Sequence, residues 1–577
     1  MNLQEGFDLL AKAPDAVTRL RELILSLAVA GKLVPQNAND EPVDALLFRV
    51  EAEKIQLSGK RNTQPDRVHA EIAFGEAAIT IPDSWKWVRL QQIADARLGK
   101  MLDKGKNTGS PYPYLRNTNV QWNRFNLGDV KMIFLEPHEL DEYRVRYGDL
   151  LICEGGEPGR CAIWRDQIAE VYFQKALHRV RPYGGILPDY IALCLEIDAK
   201  TGRLEKYFTG ATIKHFAGRE LARYCFPLPP INEQARIVTK VDELMCLCDE
   251  LEARGRLEAD QHARLVSTLL DSLGTSGSPH VLAENWRRVS AYFDLLLDRP
   301  EAVDAFEQTI LQLAVRGFLV PQDSSDEPAE ELLRKIRVEK DRLFAGGKIK
   351  RDKPVAPISD DDKPCELPTS WQWVRLADIA TQITDGAHHT PEYTPQGVPF
   401  LSVKDISAGR LDFSDTRFVS EETHAELSMR CNPKPGDVLL TKIGTTGIAV
   451  VVDDDRPFSL FVSVALIKLP TALINSDYLA LLINSPEVRQ QSADGTEGVG
   501  NKNLVLKKIY SFLLPLPPLS EQQRIVNRAS ELRRLCAHLR DRLRVTQSCQ
   551  TRFAEALVEQ SSLADSESYE SGVIEAA

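Results

Sequence analysis

Three short polar clusters in this 577-residue chain carry the side chains best suited to chemistry. The first holds Arg116, Asn117 and Asn119, the second Lys175, His178 and Arg179, the third Lys214 and His215. They sit in or beside β-rich runs punctuated by glycine, proline, asparagine and aspartate, which puts them near strand ends. Lys404, Lys442, Lys502 and Asn503 stand at corresponding places in a second, similar stretch. Arginine reaches guanine, asparagine reaches adenine and lysine reaches phosphate, so these are residue types that read double-stranded DNA. Any one of them alone is an ordinary exposed loop group; the clustering carries the signal.

Bond-making chemistry finds no comparable set. A nucleotide cradle needs G-x-x-x-x-G-K-[ST], and the glycines at 155, 156 and 159 lack the lysine and hydroxyl residue that would follow, which leaves a tight turn. An adenine methyltransferase would carry an Asn/Asp-Pro-Pro-aromatic loop, whereas the proline pairs at 229–230 and 517–518 are followed by Ile231 and Leu519. His388 and His389 are adjacent, so they cannot present like two ligands on one helix face, and no Glu-x-x-His accompanies them. The ten cysteines contain no Cys-x-x-Cys pair, as expected of reduced thiols in a cytosol. No catalytic residue, metal or cofactor is expected on this chain.

The elements that position the clusters occur twice. Residues 27–36 return at 313–322 with eight of ten identities, 84–90 returns at 370–376, and 227–238 returns at 515–526. The offset drifts only from 286 to 288, far beyond the 20 to 50 residues of a solenoid or propeller unit. Each half therefore holds a whole domain. Apolar residues spaced by three and four predict a helix ending near Gly31 and Gly317, and a second over 44–57 and 330–344. From Trp85 and Trp371 the period becomes that of short strands, with helices near 188–204 and 476–492.

Both β-rich blocks end in Pro-Leu-Pro-Pro, after which long helices are expected. The apolar stripe on the first runs through Ile237, Val241, Leu244, Leu247, Leu251, Leu265 and Leu269; on the second, through Ile525, Leu532, Leu535, Leu539, Leu543, Phe553 and Leu557. At 1.5 Å per residue each would span about 60 Å, and a stripe on such a rod needs a partner, of which the other rod is the nearest. The fold class is thus α+β: two similar domains separated by two long antiparallel helices, a coiled-coil-like spacer, related by a pseudo-twofold repeat. The expected divisions are an N-terminal helical segment (1–82), a first recognition domain (83–230), a long helix (231–275), a flexible link and central helical segment (276–368), a second recognition domain (369–518), a second long helix (519–563) and an acidic, disordered tail (564–577).

Charge complicates the DNA reading. The chain carries 71 basic and 83 acidic residues, a net charge of −12, opposite to a nucleic-acid footprint. Residues 85–230 hold 22 basic against 17 acidic residues, but 371–518 hold 13 against 17. A protein-binding scaffold that never touches DNA is the alternative. No run approaches 18 apolar residues and the broken, acidic start is unlike a signal peptide, so a cytoplasmic protein without membrane contact is expected.

Two β-rich domains, each followed by Pro-Leu-Pro-Pro, Asn-Glu-Gln or Ser-Glu-Gln-Gln, Arg-Ile-Val and a long helix, resemble the specificity subunit of type I restriction–modification enzymes. The resemblance rests on 227–238 and 515–526, the Leu-Val-Pro-Gln segments and the Ser-Trp-x-Trp-Val-Arg-Leu pairs, and spans nearly the whole chain. It implies a non-catalytic DNA reader whose two target-recognition domains each take half of a split target. It also implies docking of two methyltransferase (M) subunits joined by restriction/translocase (R) subunits, with S-adenosylmethionine, ATP and Mg on those partners. By the same resemblance Glu233, Gln234, Arg236, Glu521, Gln522 and Arg524 would position domains or methyltransferases.

Overall fold

The computed structural model describes residues 15–58, 79–103, 108–210, 212–349, 356–498 and 503–563. The expected acidic tail and Lys502 lie outside them. The chain forms two compact units: Met1–Leu257 with Gln547–Ala577, and Glu258–Thr546. Each long helix contributes residues to both units.

In the first unit α1 (Ala16–Val29) and α2 (Val43–Ser58) precede the strands. These are β1 (Lys86–Arg89), β2 (Ala94–Leu98), β3 (Ser110–Leu115), β4 (Lys131–Leu135), β5 (Leu150–Cys153), β6 (Cys161–Ile163), β7 (Tyr172–Phe173) and β8 (Leu177–Pro182). Helix α3 (Pro188–Lys200), strand β9 (Cys225–Leu228) and the long α4 (Ile231–Gly274) follow. An antiparallel sheet β2-β8-β5-β6 is flanked by a three-stranded sheet β4-β3-β7 and a β1-β9 pair.

Helices α5 (Pro279–Ala291), α6 (Pro300–Val315) and α7 (Ala329–Ala345), with a single helical turn at Phe293–Leu296, lead into the second unit's strands. The strands β10 (Gln372–Arg375), β11 (Gln382–Asp385), β12 (Val398–Leu401) and β13 (Arg417–Val419) precede α8 (Glu421–Ser428). Then come β14 (Val438–Thr441), β15 (Ala449–Val451), β16 (Ser459–Leu460), β17 (Val464–Lys468), α9 (Ser476–Ile483), α10 (Pro486–Asp494), β18 (Leu513–Leu516) and the long α11 (Leu519–Leu563). The sheets β11-β17-β14-β15, β13-β12-β16 and β10-β18 repeat the first unit's topology strand for strand. The repeat read from sequence is a repeat of fold.

Three expectations are corrected. The helix foreseen over 476–492 is broken, because Pro486 cannot donate an amide proton within a helix and instead starts α10 at its first turn. The flexible link expected around 273–279 is only a tight turn: α4 runs to Gly274, Ser276 is buried, and Ser278 caps α5 through Val281 N. On the rods, Leu247, Leu265 and Leu535 face solvent. The inward seam steps instead through Ile237, Val241, Leu244 and Cys248 on α4, and through Ile525, Ala529, Leu532, Cys536, Leu539 and Leu543 on α11. These alternating steps of four and three are a heptad, which puts cysteine where the neighbouring leucine was expected.

Within the second unit Val266, Leu270 and Leu273 of α4 share one apolar cluster with Leu532, Cys536, Leu539 and Leu543 of α11. Within the first, Arg19 on α1 pairs with Glu555 near the end of α11 at 3.0 Å.

Gly31 and Gly317 end α1 and α6 in the left-handed region, with φ of 71° and 76°. A Cβ on either would lie 2.6 Å from the ring of Pro82 or Pro368 and against Trp85 or Trp371. Gly31→Ala is therefore expected to destabilise the first unit by about 1–3 kcal/mol, read as a lowered thermal midpoint.

Candidate nucleic-acid interface

Antiparallel pairing brings four strand termini to one end of each central sheet. In the first unit β2 and β5 finish there and β8 and β6 begin there, with His178 opposite Leu98, Leu177 opposite Cys153 and Ile152 opposite Cys161. Backbone bonds tie the emerging loops together: Lys175 N donates to Lys100 O at 2.8 Å, Glu154 N to Ala176 O at 2.9 Å, and Phe216 N to Glu154 O at 2.7 Å. Asn117 Nδ2 reaches Gly155 O at 3.2 Å. The three sequence clusters, spread along the chain from Arg116 to His215, thus converge on one rim.

The second unit builds the same rim with different side chains. Val462 N donates to Ala387 O at 2.9 Å, and Leu504 N to Lys442 O at 2.7 Å, as Lys175 and Phe216 do in the first unit. Asn503 bridges Ile443 where His215 bridges Gly155. By the same bonding pattern Lys175 is matched by Val462, Asn117 by Val403, Thr118 by Lys404 and Asn119 by Asp405.

Not every chosen residue is placed to meet a ligand. Lys175, Lys214 and His215 are exposed, Lys404 is half-exposed beside Asp415 at 2.9 Å, and Asn117 and Asn503 are half-buried. Arg116 is held by Asp129 at 2.6 Å. Four others are turned inward. Asn119 is buried, its Nδ2 donating to Asn126 O at 2.9 Å and to Asp129 O at 3.1 Å. His178 is buried with Nε2 at 2.8 Å from Phe216 O, and burial lowers its pKa. Arg179 is buried, donates to Glu142 O at 2.7 Å and lies over the Phe173 ring. Lys442 is buried against Asp385 at 2.8 Å. These side chains satisfy the fold's own carbonyls and carboxylate, since a buried charge or amide must be paired. Sequence pattern could not separate them, because side chains alternate between faces along a strand and the facing partner is remote.

The six motif residues at the helix starts are also spent internally. Glu233, Gln234, Glu521 and Gln522 are almost wholly buried. Gln36 donates to Glu233 and Gln322 to Glu521, both at 2.5 Å, and the Trp371 indole adds a 2.9 Å bond to Glu521. Gln234 Oε1 accepts from Leu187 N and Gln522 Oε1 from Asn475 N, each at 3.0 Å. Arg236 grips Asp40, and Arg524 grips Asp326, each with its shorter contact at 2.6 Å. Burial raises the pKa of both glutamates, while the arginine hydrogen bonds hold Asp40 and Asp326 below the carboxylate norm. These groups fasten each domain to its helix. Glu233, Gln234, Glu521 and Gln522 leave no side-chain surface for a partner.

The family model for the type I restriction modification DNA specificity domain matches residues 82–259 and again 368–544. The chain belongs to the type I restriction–modification specificity family. Its two matched segments are the two repeated recognition domains, each running into its long helix. The Escherichia coli type I restriction enzyme EcoAI specificity subunit is 32% identical over 557 residues, covering 94% of this chain and 93% of its own. The EcoEI specificity subunit of the same organism is 32% identical with the same coverage. The crystal structure of an HsdS subunit from Thermoanaerobacter tengcongensis is 17% identical, covers 85% of this chain and 99% of its own, and has a TM-score of 0.40. As a specificity subunit with two such domains, the chain serves DNA target recognition and its homologues are non-catalytic subunits. Among the described residues no helix is long and apolar enough to cross a membrane.

Proposed function

We propose that each rim reads one half of a bipartite, asymmetric double-stranded DNA target, and that the long helices pair antiparallel as a coiled-coil-like spacer setting the distance between halves. One observation carries this reading: the two rims share their backbone bonds but not their side chains, as with exposed Lys175 against half-buried Val462 and exposed His215 against half-buried Asn503. A common frame with different reading residues suits two different half-sites. Readers on one frame would meet half-sites about one helical turn, roughly 34–36 Å, apart.

The same proposal has two adenine-N6 methyltransferase subunits docking on the frame, joined by restriction/translocase subunits in the cytoplasm. S-adenosylmethionine, ATP and Mg would be bound by those partners. Supporting the docking, solvent-facing apolar residues recur at equivalent places on both rods: Leu247 with Leu535, Leu257 with Val545, Leu265 with Phe553. Leu247 and Leu265 lie five helical turns apart and so share a face. Such residues would cost little to leave bare singly, but their recurrence fits two copies of one partner. Leu247→Glu and Leu535→Glu are expected to weaken methyltransferase binding by at least about 1–2 kcal/mol in a pull-down titration. Stability should stay within about 0.5 kcal/mol.

The test of the reading is to map methylated adenines across the host genome with and without this chain. Loss of methylation at one split, asymmetric sequence supports it; an unchanged map overturns it.

A further inference from the structure

Resting on that reading, we infer that Arg430 is a base-reading residue of the second unit, aimed by the buried carboxylate of Asp385. Asp385 is the last residue of β11, at the rim, and is 1% exposed. Three basic groups converge on it: Lys442 Nζ at 2.8 Å, Arg430 Nη2 at 2.5 Å and His388 Nε2 at 3.0 Å. Lys442 is buried, whereas the Arg430 and His388 side chains are 56% and 50% exposed. One charge neutralises the carboxylate from inside and the other two groups stand at the surface. This gives a locally basic spot to a domain whose balance is acidic.

The cluster is peculiar to the second reader. Gly386 N donates to Val464 O as Gly99 N does to Leu177 O, which makes Leu98 the first unit's counterpart of Asp385. A scaffold device would recur, as the Arg236 and Arg524 grips do; a selectivity device should differ between readers. The guanidinium is also tethered at one corner. Gln382 Nε2 donates to Arg430 O at 3.2 Å, pinning the backbone, and among the described residues the guanidinium is engaged through Nη2 alone. Phosphate needs only a nearby positive charge, which any flexible surface lysine supplies. A planar fork tethered to a carboxylate by one amino group keeps its other N–H groups for bidentate pairing with guanine O6 and N7. Asp385 is accordingly a positioning residue.

The experiment uses the full chain co-purified with its methyltransferase subunits and a pool of random-sequence duplex DNA, with the bound fraction sequenced. Arg430→Ala, at an exposed site, should erase a preference for a G·C pair at one position of one half-site. Affinity for the unchanged target should fall about 5- to 150-fold, with the other half-site intact. The double variant Asp385→Ala/Lys442→Met removes the aiming carboxylate together with its buried partner and should relax the same base pair. If Arg430→Ala weakens all sequences alike and lowers the salt slope by about one, Arg430 is a phosphate contact and the inference fails. An unchanged selection overturns this inference alone; a wild-type complex that selects no split sequence overturns the proposed function as well.

Discussion

Asp385→Ala is expected to cost the second unit about 3–5 kcal/mol, because it leaves the Lys442 ammonium buried without its carboxylate. Lys442 has no other side-chain partner among the described residues, and an unpaired charge in a low dielectric is far costlier than a lost surface ion pair. Adding Lys442→Met should recover most of that loss, since an apolar side chain needs no counter-charge. Urea unfolding of the two single variants and the double variant closes the cycle; additive losses would show that the two residues do not depend on each other. The pH dependence follows from the same geometry. Burial alone would raise the Asp385 pKa, and the Lys442 and His388 hydrogen bonds outweigh it, leaving it below the ordinary value of an aspartate in an unfolded chain. Its stabilising contribution is therefore present above that unfolded value and is lost as pH falls through the lower folded value. Asp40 and Asp326, lowered by Arg236 and Arg524, act in the same direction. Acid unfolding monitored by tryptophan fluorescence should steepen below about pH 4.

Exchanging residues 83–230 for the matching segment of a relative with a different target should replace one half-site and leave the other. Specific binding exceeds non-specific binding by about 4–10 kcal/mol, so the lost half-site should fall to background and not merely weaken. The exchange is structurally feasible because both ends of the segment meet. Strand β1 near its start pairs along its length with β9 near its end, Lys86 opposite Leu228 and Arg89 opposite Cys225. The contact that fastens it to α4, Leu187 N donating to Gln234, is made by a glutamine repeated as Gln522 in the second unit. Methylation of plasmids carrying parental or hybrid targets reads the outcome; a change in both halves would mean that the two domains do not read independently.

The repeat, the strand-rich domains and both long helices were legible because each leaves a local mark: identities at a constant offset, turn residues between short apolar runs, and proline-free stretches with helical spacing. What stayed hidden depends on neighbours far away in sequence. His178 and Arg179 look like a reading pair, yet both side chains are enclosed through bonds to Phe216 O and Glu142 O. Arg430 carries no local mark in the sequence because its role comes from Asp385, 45 residues earlier. On the rods, Leu247 outranks Cys248 in hydrophobicity, but the heptad through Val241 and Leu244 selects the cysteine for the seam. Glu233 and Glu521 stand at helix starts, where acidic residues favour the helix dipole, and nothing in the local sequence marks them as buried. Their burial follows from Gln36 and Gln322, nearly two hundred residues away.

The most direct test of two different readers on one frame is a salt-titrated footprint of the chain with the proposed methyltransferase partners on duplex DNA carrying the mapped target. Two protected patches of unlike sequence, separated by an unprotected gap and both fading as salt rises, are expected. Continuous protection, or none at any salt concentration, would contradict paired reading and favour a protein-binding scaffold.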